Sequence, residues 1–333
     1  MEKYNNIIEA IHTYDAFKGE ILFNEPLAPK TTFKVGGAAE LFIKPKNYYS
    51  FQIVLNILLA TQTPFFILGG GSNVVFPDNT YNGVVISTQD FNELDYFPVE
   101  DFPEDFGTIC LQKDEVFVTC FSGTPMAALV NFCTKNNISG MEQFAGLPGS
   151  VGGAVFMNAR CFDKSISDVL FSSSYMDYSG QKVTLKKSLF IAEEWDYKKS
   201  PYQNAKKFIT TATFKLIQKT ESDHEEIEVQ CKKYINERVS KGHFKFPSAG
   251  SVFKNNRNFG KPSGQIIDEA GLKGYTMGGA QIAPFHGNFI INSNNATSSD
   301  IKNLVNFIQK NIQQKYGFFL EPEIIFVDNP IAE

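Results

Sequence analysis

Apolar residues fall along this chain mostly in short runs punctuated by glycine and proline, and helical spacing is confined to a few longer stretches. Residues 40–44 predict a strand that stops at Pro45, which has no N–H to donate to a ladder. Tyr48–Ala60 repeats apolar positions at helical intervals. Phe65–Leu68 is a short apolar strand running straight into Gly69-Gly70-Gly71-Ser72-Asn73. Residues 83–88, 107–111 and 115–120 predict further strands. Thr124-Pro125 predicts a helix start, with threonine as N-cap and proline in the first helical position. Two strands around Ser179-Gly180 predict a hairpin, and residues 208–215 add a β-run rich in threonine and phenylalanine. Residues 90–105 hold seven acidic side chains among aromatics and read as a solvated loop.

Near residue 218 the pattern turns polar and helical. Ser222 with Glu225 makes a capping-box pattern, and Ile227, Cys231, Ile235 and Val239 recur every four residues as one buried stripe. A second helix is predicted from Thr297, with Asp300 three residues on and Ile301, Leu304, Val305 and Ile308 facing inward. It ends at Gly317, and residues 318–326 predict a closing strand. The expected fold class is therefore α+β, with a β-rich part over residues 1–217 and a smaller α/β cap over residues 218–333.

Length and composition fit this division. At 333 residues the chain exceeds one small core, and 43% hydrophobic with 20% charged residues describes an ordinary globular protein. A net charge of −5 with no basic stripe argues against nucleic acid as a partner. The first twenty residues contain no apolar run suited to a signal peptide or membrane span, which predicts a cytoplasmic protein with no membrane partner. Cys110, Cys120, Cys133, Cys161 and Cys231 are odd in number and widely spaced, as expected of reduced thiols. Neither they nor the four histidines show metal-site spacing, so no metal is expected.

Two glycine-dense segments carry the candidate chemistry: Ile67-Leu68-Gly69-Gly70-Gly71-Ser72-Asn73, and Ala145-Gly146-Leu147-Pro148-Gly149-Ser150-Val151-Gly152-Gly153-Ala154. Glycine lets the backbone approach a ligand closely, and successive free amides form a concave nest for phosphate oxygens. Taken singly, each segment is equally well a tight strand-to-loop turn. Two of them after apolar segments point to a large pyrophosphate cofactor. Neither matches the G-x-G-x-x-G fingerprint or the lysine-bearing P-loop. In the second part, Pro247-Ser248-Ala249-Gly250-Ser251-Val252-Phe253-Lys254-Asn255 gathers serine, lysine and asparagine in a small-residue loop. A serine hydroxyl there could protonate a strongly basic carbanion, although a capped turn is the commoner use. Leu320-Glu321-Pro322-Glu323 sets two carboxylates in an apolar strand, where alternation sends both to one face. Sequence alone leans to an edge strand with both acids in water.

Together these segments, with Thr31-Thr32-Phe33-Lys34-Val35-Gly36-Gly37, Tyr197-Lys198-Lys199-Ser200 and residues 267–274 and 286–292, resemble the UDP-N-acetylenolpyruvoylglucosamine reductase (MurB) family. The ordered set runs from about residue 26 to residue 327. The resemblance implies a vanillyl-alcohol-oxidase-type (PCMH-type) FAD-binding fold. Its FAD domain would cover 1–217 as two α+β subdomains (core about 26–217), followed by a substrate domain over 218–333 whose last strand returns to the FAD domain. It implies FAD as cofactor and NADPH as co-substrate. It also implies reduction of a UDP-sugar enolpyruvyl ether in peptidoglycan precursor synthesis, by hydride from flavin N5 to the β-carbon and a proton from a serine to the α-carbon. The serine role falls on Ser251 and the glutamate role on Glu323. Tyr197, Lys254 and Asn255 would contact substrate. Gly69, Gly70, Gly71, Ser72, Asn73, Gly146, Pro148, Gly149, Ser150, Gly152 and Gly153 would hold the cofactor. A monomer or weak dimer is expected. Another flavin oxidoreductase of this fold and a non-catalytic sugar-nucleotide or flavin-binding protein stay open as alternatives.

Two positions depart from the family pattern. Tyr197-Lys198-Lys199-Ser200 carries lysine where the family has arginine, and Arg160 stands in Asn158-Ala159-Arg160 where the family has glycine. Lysine keeps the charge but loses the planar fork that fits a carboxylate. Arg160 either supplies the missing guanidinium to the catalytic set or binds a surface acid. Ile325 occupies a place where the family often has a basic residue. Cys161 beside Arg160 reads as a packed thiol, and His286 as a residue that orients its strand by hydrogen bonding.

Overall fold

The computed structural model describes residues 2–98 and 114–330. After helix α1 (Asn5–His12), strands β1 (Gly19–Pro26) and β2 (Ala38–Pro45) form an antiparallel pair. Helix α2 (Tyr48–Ala60) crosses to β3 (Phe65–Leu68). The glycine run and the two-residue β4 (Val74–Val75) follow, and β5 (Tyr81–Ser87) completes a sheet of order β1-β2-β5-β3. β5 lies parallel to both β2 and β3, a geometry that needs crossovers such as α2. Phe51, Ile53, Val54, Leu55, Ile57 and Leu58 of α2 are all buried. The helix is apolar nearly all round because it lies between two sheets: Phe51 stacks on Phe208 of the second sheet at 4.0 Å, and Ile43 and Ile86 of the first share its core.

The second sheet draws on β6 (Leu94–Pro98), β7 (Glu115–Phe121), helix α3 (Met126–Lys135), β8 (Ile138–Ser139) and helix α4 (Val151–Phe156). The small hairpin β9 (Arg160–Cys161) and β10 (Lys164–Ser165) then precedes β11 (Leu170–Asp177), β12 (Thr184–Leu189) and β13 (Lys207–Gln218). Its antiparallel order is β12-β11-β13-β7-β6, with β8 beside the end of β13. β6 corrects the loop expected over 90–105. Leu94 and Tyr96 alternate toward the core while Asp95 faces water, an alternation masked by the surrounding acids. The strand expected over 107–111 lies outside the described residues. Thr124 does not cap α3: its hydroxyl donates to Glu93 O at 3.0 Å, and the extended Pro125 takes the N-cap place.

Helix α5 (His224–Ser240) differs from expectation twice. The capping box sits earlier, at Thr220 and Asp223, heading a short 3-10 turn. Ile227 and Cys231 pack into the core of the second sheet, but Ile235 is 40% and Val239 53% exposed. A four-residue repeat drifts about 40° around the helix at each step, so by Val239 it has left the buried face. The face instead continues through Tyr234 and Arg238, the latter 6% exposed. A division near 217/218 would assign α5 to the C-terminal part, whereas its buried residues join the second sheet.

The remaining chain forms β14 (Ser248–Ser251), α6 (Ser263–Glu269), β15 (Thr276–Met277), β16 (Ala280–Ile282), β17 (Phe289–Asn292), α7 (Ser298–Tyr316) and β18 (Ile325–Phe326). The third sheet, β14-β17-β16-β15, is antiparallel and covered by α7. α7 has the expected Thr297–Asp300 capping box, buries Ile301, Leu304, Val305 and Ile308, and ends at Gly317 with φ +81°. The strand expected over 318–326 shrinks to β18, which runs parallel to β4. Pro322 interrupts it and makes an isolated bridge to Phe253. The broken strand sends the two carboxylates apart: Glu321 is exposed, and Glu323 points inward.

Candidate active site

The glycine runs meet because neither has side chains to keep them apart. A Cβ on Gly70 would stand 2.5 Å from the Gly149 backbone, and one on Gly149 would stand 2.5 Å from Ser72 Oγ. Gly71, at φ +64°, passes so close to Lys30 O that a Cβ there would meet it at 2.1 Å. Ser150 pins both runs, its hydroxyl accepting from Gly70 N at 3.3 Å and Gly153 N at 3.4 Å. The resulting wall belongs to a cleft of about 1540 Å³. That exceeds the roughly 300–1,000 Å³ of a usual small-molecule site and suits a dinucleotide plus a second ligand. Among the described residues, the amides of Gly71 and Ser72 meet no acceptor and the buried hydroxyl of Ser122 on the same wall has no partner. Free amides and an orphaned hydroxyl are the donors a pyrophosphate cofactor uses.

The opposite wall comes from β14 and the chain after it. β14 bulges between Ser248 and Ser251, with Gly250 at φ +73°, and this turns Ser251 to the cleft. The Ser251 hydroxyl has no hydrogen-bond partner among the described residues. Buried Asn288 clamps the next turn, accepting from Phe253 N at 2.9 Å and donating to Phe253 O at 2.8 Å. Lys254 pairs with Glu321 at 2.6 Å. Asn255 Oδ1 accepts from Ser263 N at 2.9 Å, and Asn255 N donates to Tyr197 Oη at 3.4 Å. His286 Nδ1 accepts from Asn288 N at 3.2 Å, a strand-orienting bond. Burial, then Lys241, hold its pKa below the ordinary histidine value.

Between the walls, Lys198 Nζ lies 2.6 Å from Glu323 Oε1, with the side chains 12% and 11% exposed. Lys198 has φ +57° in a turn closed by an Asp196–Lys199 bridge. The turn is fastened from behind: Asn158 Nδ2 donates to Asp196 O at 2.9 Å, and Gln203 Nε2 to Lys198 O at 3.2 Å. Arg160 also walls the cleft, but its guanidinium is engaged by Ser165 Oγ at 3.0 Å and Asp163 Oδ1 at 3.3 Å.

All residues given a catalytic, cofactor or substrate role from the sequence wall this cleft except Gly149 and Tyr197. Gly149 lies behind Ser72, and Tyr197 is 39% exposed. Glu321 and Glu323 do not share a face, and Ile325 brings an uncharged side chain to the cleft. Sequence reasoning missed Arg238, whose buried Nε donates to Ala145 O at 3.0 Å while its guanidinium lies over Phe162 at 5.2 Å. Spacing of seven from Cys231 would have found it. Sequence reasoning gave no role to Asn288, although it falls in the family-like segment 286–292, and it missed Ser122, which stands in no local pattern that marks it.

A glycine cradle with free amides, flanked by a mixed sheet and an antiparallel sheet, is the architecture of an FAD-binding oxidoreductase. A family profile described as "FAD binding domain" matches residues 39–186, and one described as "UDP-N-acetylenolpyruvoylglucosamine reductase, C-terminal domain" matches residues 242–327. The chain is 42% identical over 332 residues to the UDP-N-acetylenolpyruvoylglucosamine reductase of Treponema denticola, covering 97% of this chain and 98% of that one. It is 38% identical over 301 residues to the reductase of the same name from Borreliella burgdorferi, covering 90% and 92%. The crystal structure of the Thermus caldophilus reductase superposes with a TM-score of 0.70 at 28% identity, over 94% of this chain and 100% of that one. The chain belongs to the UDP-N-acetylenolpyruvoylglucosamine reductase family. No helix among the described residues is long and apolar enough to cross a membrane.

Proposed function

We propose that this protein reduces the enolpyruvyl ether of UDP-N-acetylglucosamine to UDP-N-acetylmuramate in peptidoglycan precursor synthesis, consuming NADPH and using FAD. When bound, FAD supplies the hydride relay from NADPH to the β-carbon of the enolpyruvyl double bond. The rest is the work of side chains. The observation that carries the reading is the nearly buried Lys198–Glu323 pair, set between the glycine cradle and Ser251. Hydride addition pushes negative charge onto the substrate carboxylate, and the Lys198 ammonium stabilises it there. Glu323 aims that ammonium. The free Ser251 hydroxyl gives its proton to the α-carbon, which completes reduction of the double bond. Lys254 and Asn255 hold the substrate beside them, and Arg160 braces the β9–β10 hairpin rather than replacing Lys198. The amides of Gly71 and Ser72 would take cofactor phosphate oxygens.

We further propose that the enzyme works in the cytoplasm as a monomer or weak dimer. Its acidic net charge of −5 supports the absence of a nucleic-acid partner. Purified protein is expected to be yellow, to bleach with NADPH and to regain colour on adding the enolpyruvyl sugar nucleotide. Colourless protein that takes up no added FAD would end the reading.

A further inference from the structure

Glu323 stands in a segment with little regular structure of its own, after Pro322 and before the two-residue β18. Two bonds hold its main chain. Its N–H donates to Val252 O at 2.7 Å, next to Ser251, and its carbonyl accepts from Asn73 Nδ2 at 2.9 Å, next to the glycine run. Asn73 grips the same segment again through its own carbonyl, which accepts from Ile325 N at 2.9 Å. The other side-chain contact of Asn73 Nδ2 is Met157 Sδ at 3.6 Å. The amide nitrogen of Asn73 is therefore spent inside the protein rather than presented to a cofactor.

Resting on the functional reading above, we infer that Asn73 is a positioning residue: its side chain fixes Glu323, and through Glu323 the Lys198 ammonium, relative to the glycine cradle. The chain of contacts is short and directional. Asn73 sets the Glu323 main chain, and the Glu323 carboxylate sets Lys198 at 2.6 Å. Lys198 stands on a lobe different from that of Glu323 and meets it across the cleft, so a shift of the Glu323 backbone moves the cation away from the reacting carboxylate. Orientation errors of about 1 Å in such groups cost up to roughly 100-fold in rate.

The test uses full-length, FAD-loaded Asn73→Ala and Asn73→Asp. The NADPH-reduced protein is mixed with the enolpyruvyl sugar nucleotide and flavin reoxidation is followed. Asn73→Ala is expected to retain its flavin and to be slowed roughly 10- to 100-fold at saturating substrate, with KM little changed. Asn73→Asp is expected to be equally slow at neutral pH, where its carboxylate faces the Glu323 carbonyl. It should recover relative to wild type as the pH falls toward the carboxylate range near about 4, because the protonated acid regains a donor. Loss of FAD in Asn73→Ala would overturn the proposal by making the side chain a cofactor ligand. Wild-type reoxidation in that variant, or the same pH profile in both variants, would overturn it too. Failure of the wild-type reduced protein to be reoxidised by the substrate would instead count against the functional reading.

Discussion

Lys198 and Glu323, 125 positions apart in the chain, meet at 2.6 Å in a cleft that leaves each side chain about one-tenth exposed. An ion pair this sheltered gains little net stability, because desolvating two charges offsets most of their attraction. Its worth lies in placement. Glu323 holds a flexible lysine in one direction, which offsets part of what lysine loses against a planar guanidinium.

Lys198→Ala is therefore expected to lower kcat for the enolpyruvyl substrate by roughly 100- to 1,000-fold, the scale of removing one charge-stabilising group. Arg160→Lys is expected to change kcat little, since the Arg160 contacts are Ser165 and Asp163 of its own hairpin. Steady-state kinetics on the two variants settles which cation serves. A large kcat loss in Arg160→Lys with a mild one in Lys198→Ala would reverse the assignment.

Ser251→Ala removes a hydroxyl that no other described residue uses, so its structural cost is expected to be small. The expected effect is a loss of roughly 100- to 10,000-fold in flavin reoxidation by the enolpyruvyl substrate. Flavin bleaching by NADPH should proceed, because no proton transfer to carbon occurs in that step. Stopped-flow measurement of the two half-reactions separates these outcomes, and a normal oxidative half-reaction would remove Ser251 from the chemistry.

The parts of this molecule legible in the sequence are those written in local patterns. Phe65–Leu68 ends at a glycine run because an apolar strand and a close backbone approach are both encoded by neighbours in sequence. Thr297, Asp300 and Gly317 mark α7 with signals that lie within its own length. The Lys198–Glu323 pair was not legible as a pair, because it depends on how distant segments fold back together. Pro322 shortened a strand whose apolar composition suggests it should run on, and that divided Glu321 from Glu323. Arg238 is not legible because the apolar four-residue stripe leaves the buried face before the end of the helix, and the residue that continues that face is charged.

Arg238→Ala tests that buried arginine. Truncation leaves the Ala145 carbonyl without its donor, uncovers the Phe162 face and removes the packing behind Gly146, where a Cβ would lie 3.0 Å from Arg238 Cδ. An unsatisfied buried acceptor costs about 1–3 kcal/mol, so lower stability in urea is expected. Weaker flavin retention should accompany it, because Ala145 leads into the second glycine run. Unchanged urea midpoints would show that solvent or a neighbour replaces the lost donor.

His243 is expected to make the stability of the protein pH-dependent. Burial is the main cause of its lowered pKa, followed by the nearby charges of Arg238, His286 and Lys241, against a weaker opposing pull from Glu237. Together they bring it from 6.5 to about 4. Above about 6.5 the ring is neutral in both folded and unfolded chains, and its contribution is constant. Between about 6.5 and about 4 the unfolded chain takes up a proton that the folded protein excludes, so stability falls as the pH drops through that window. Below about 4 both states carry the charge and this residue adds no further loss. His286, lowered in the same direction, steepens the decline. Urea midpoints measured from about pH 8 down to about pH 4 should decrease, and His243→Gln should flatten the curve over that window. If the variant and wild type decline in parallel, the buried imidazole is not the source of the pH dependence.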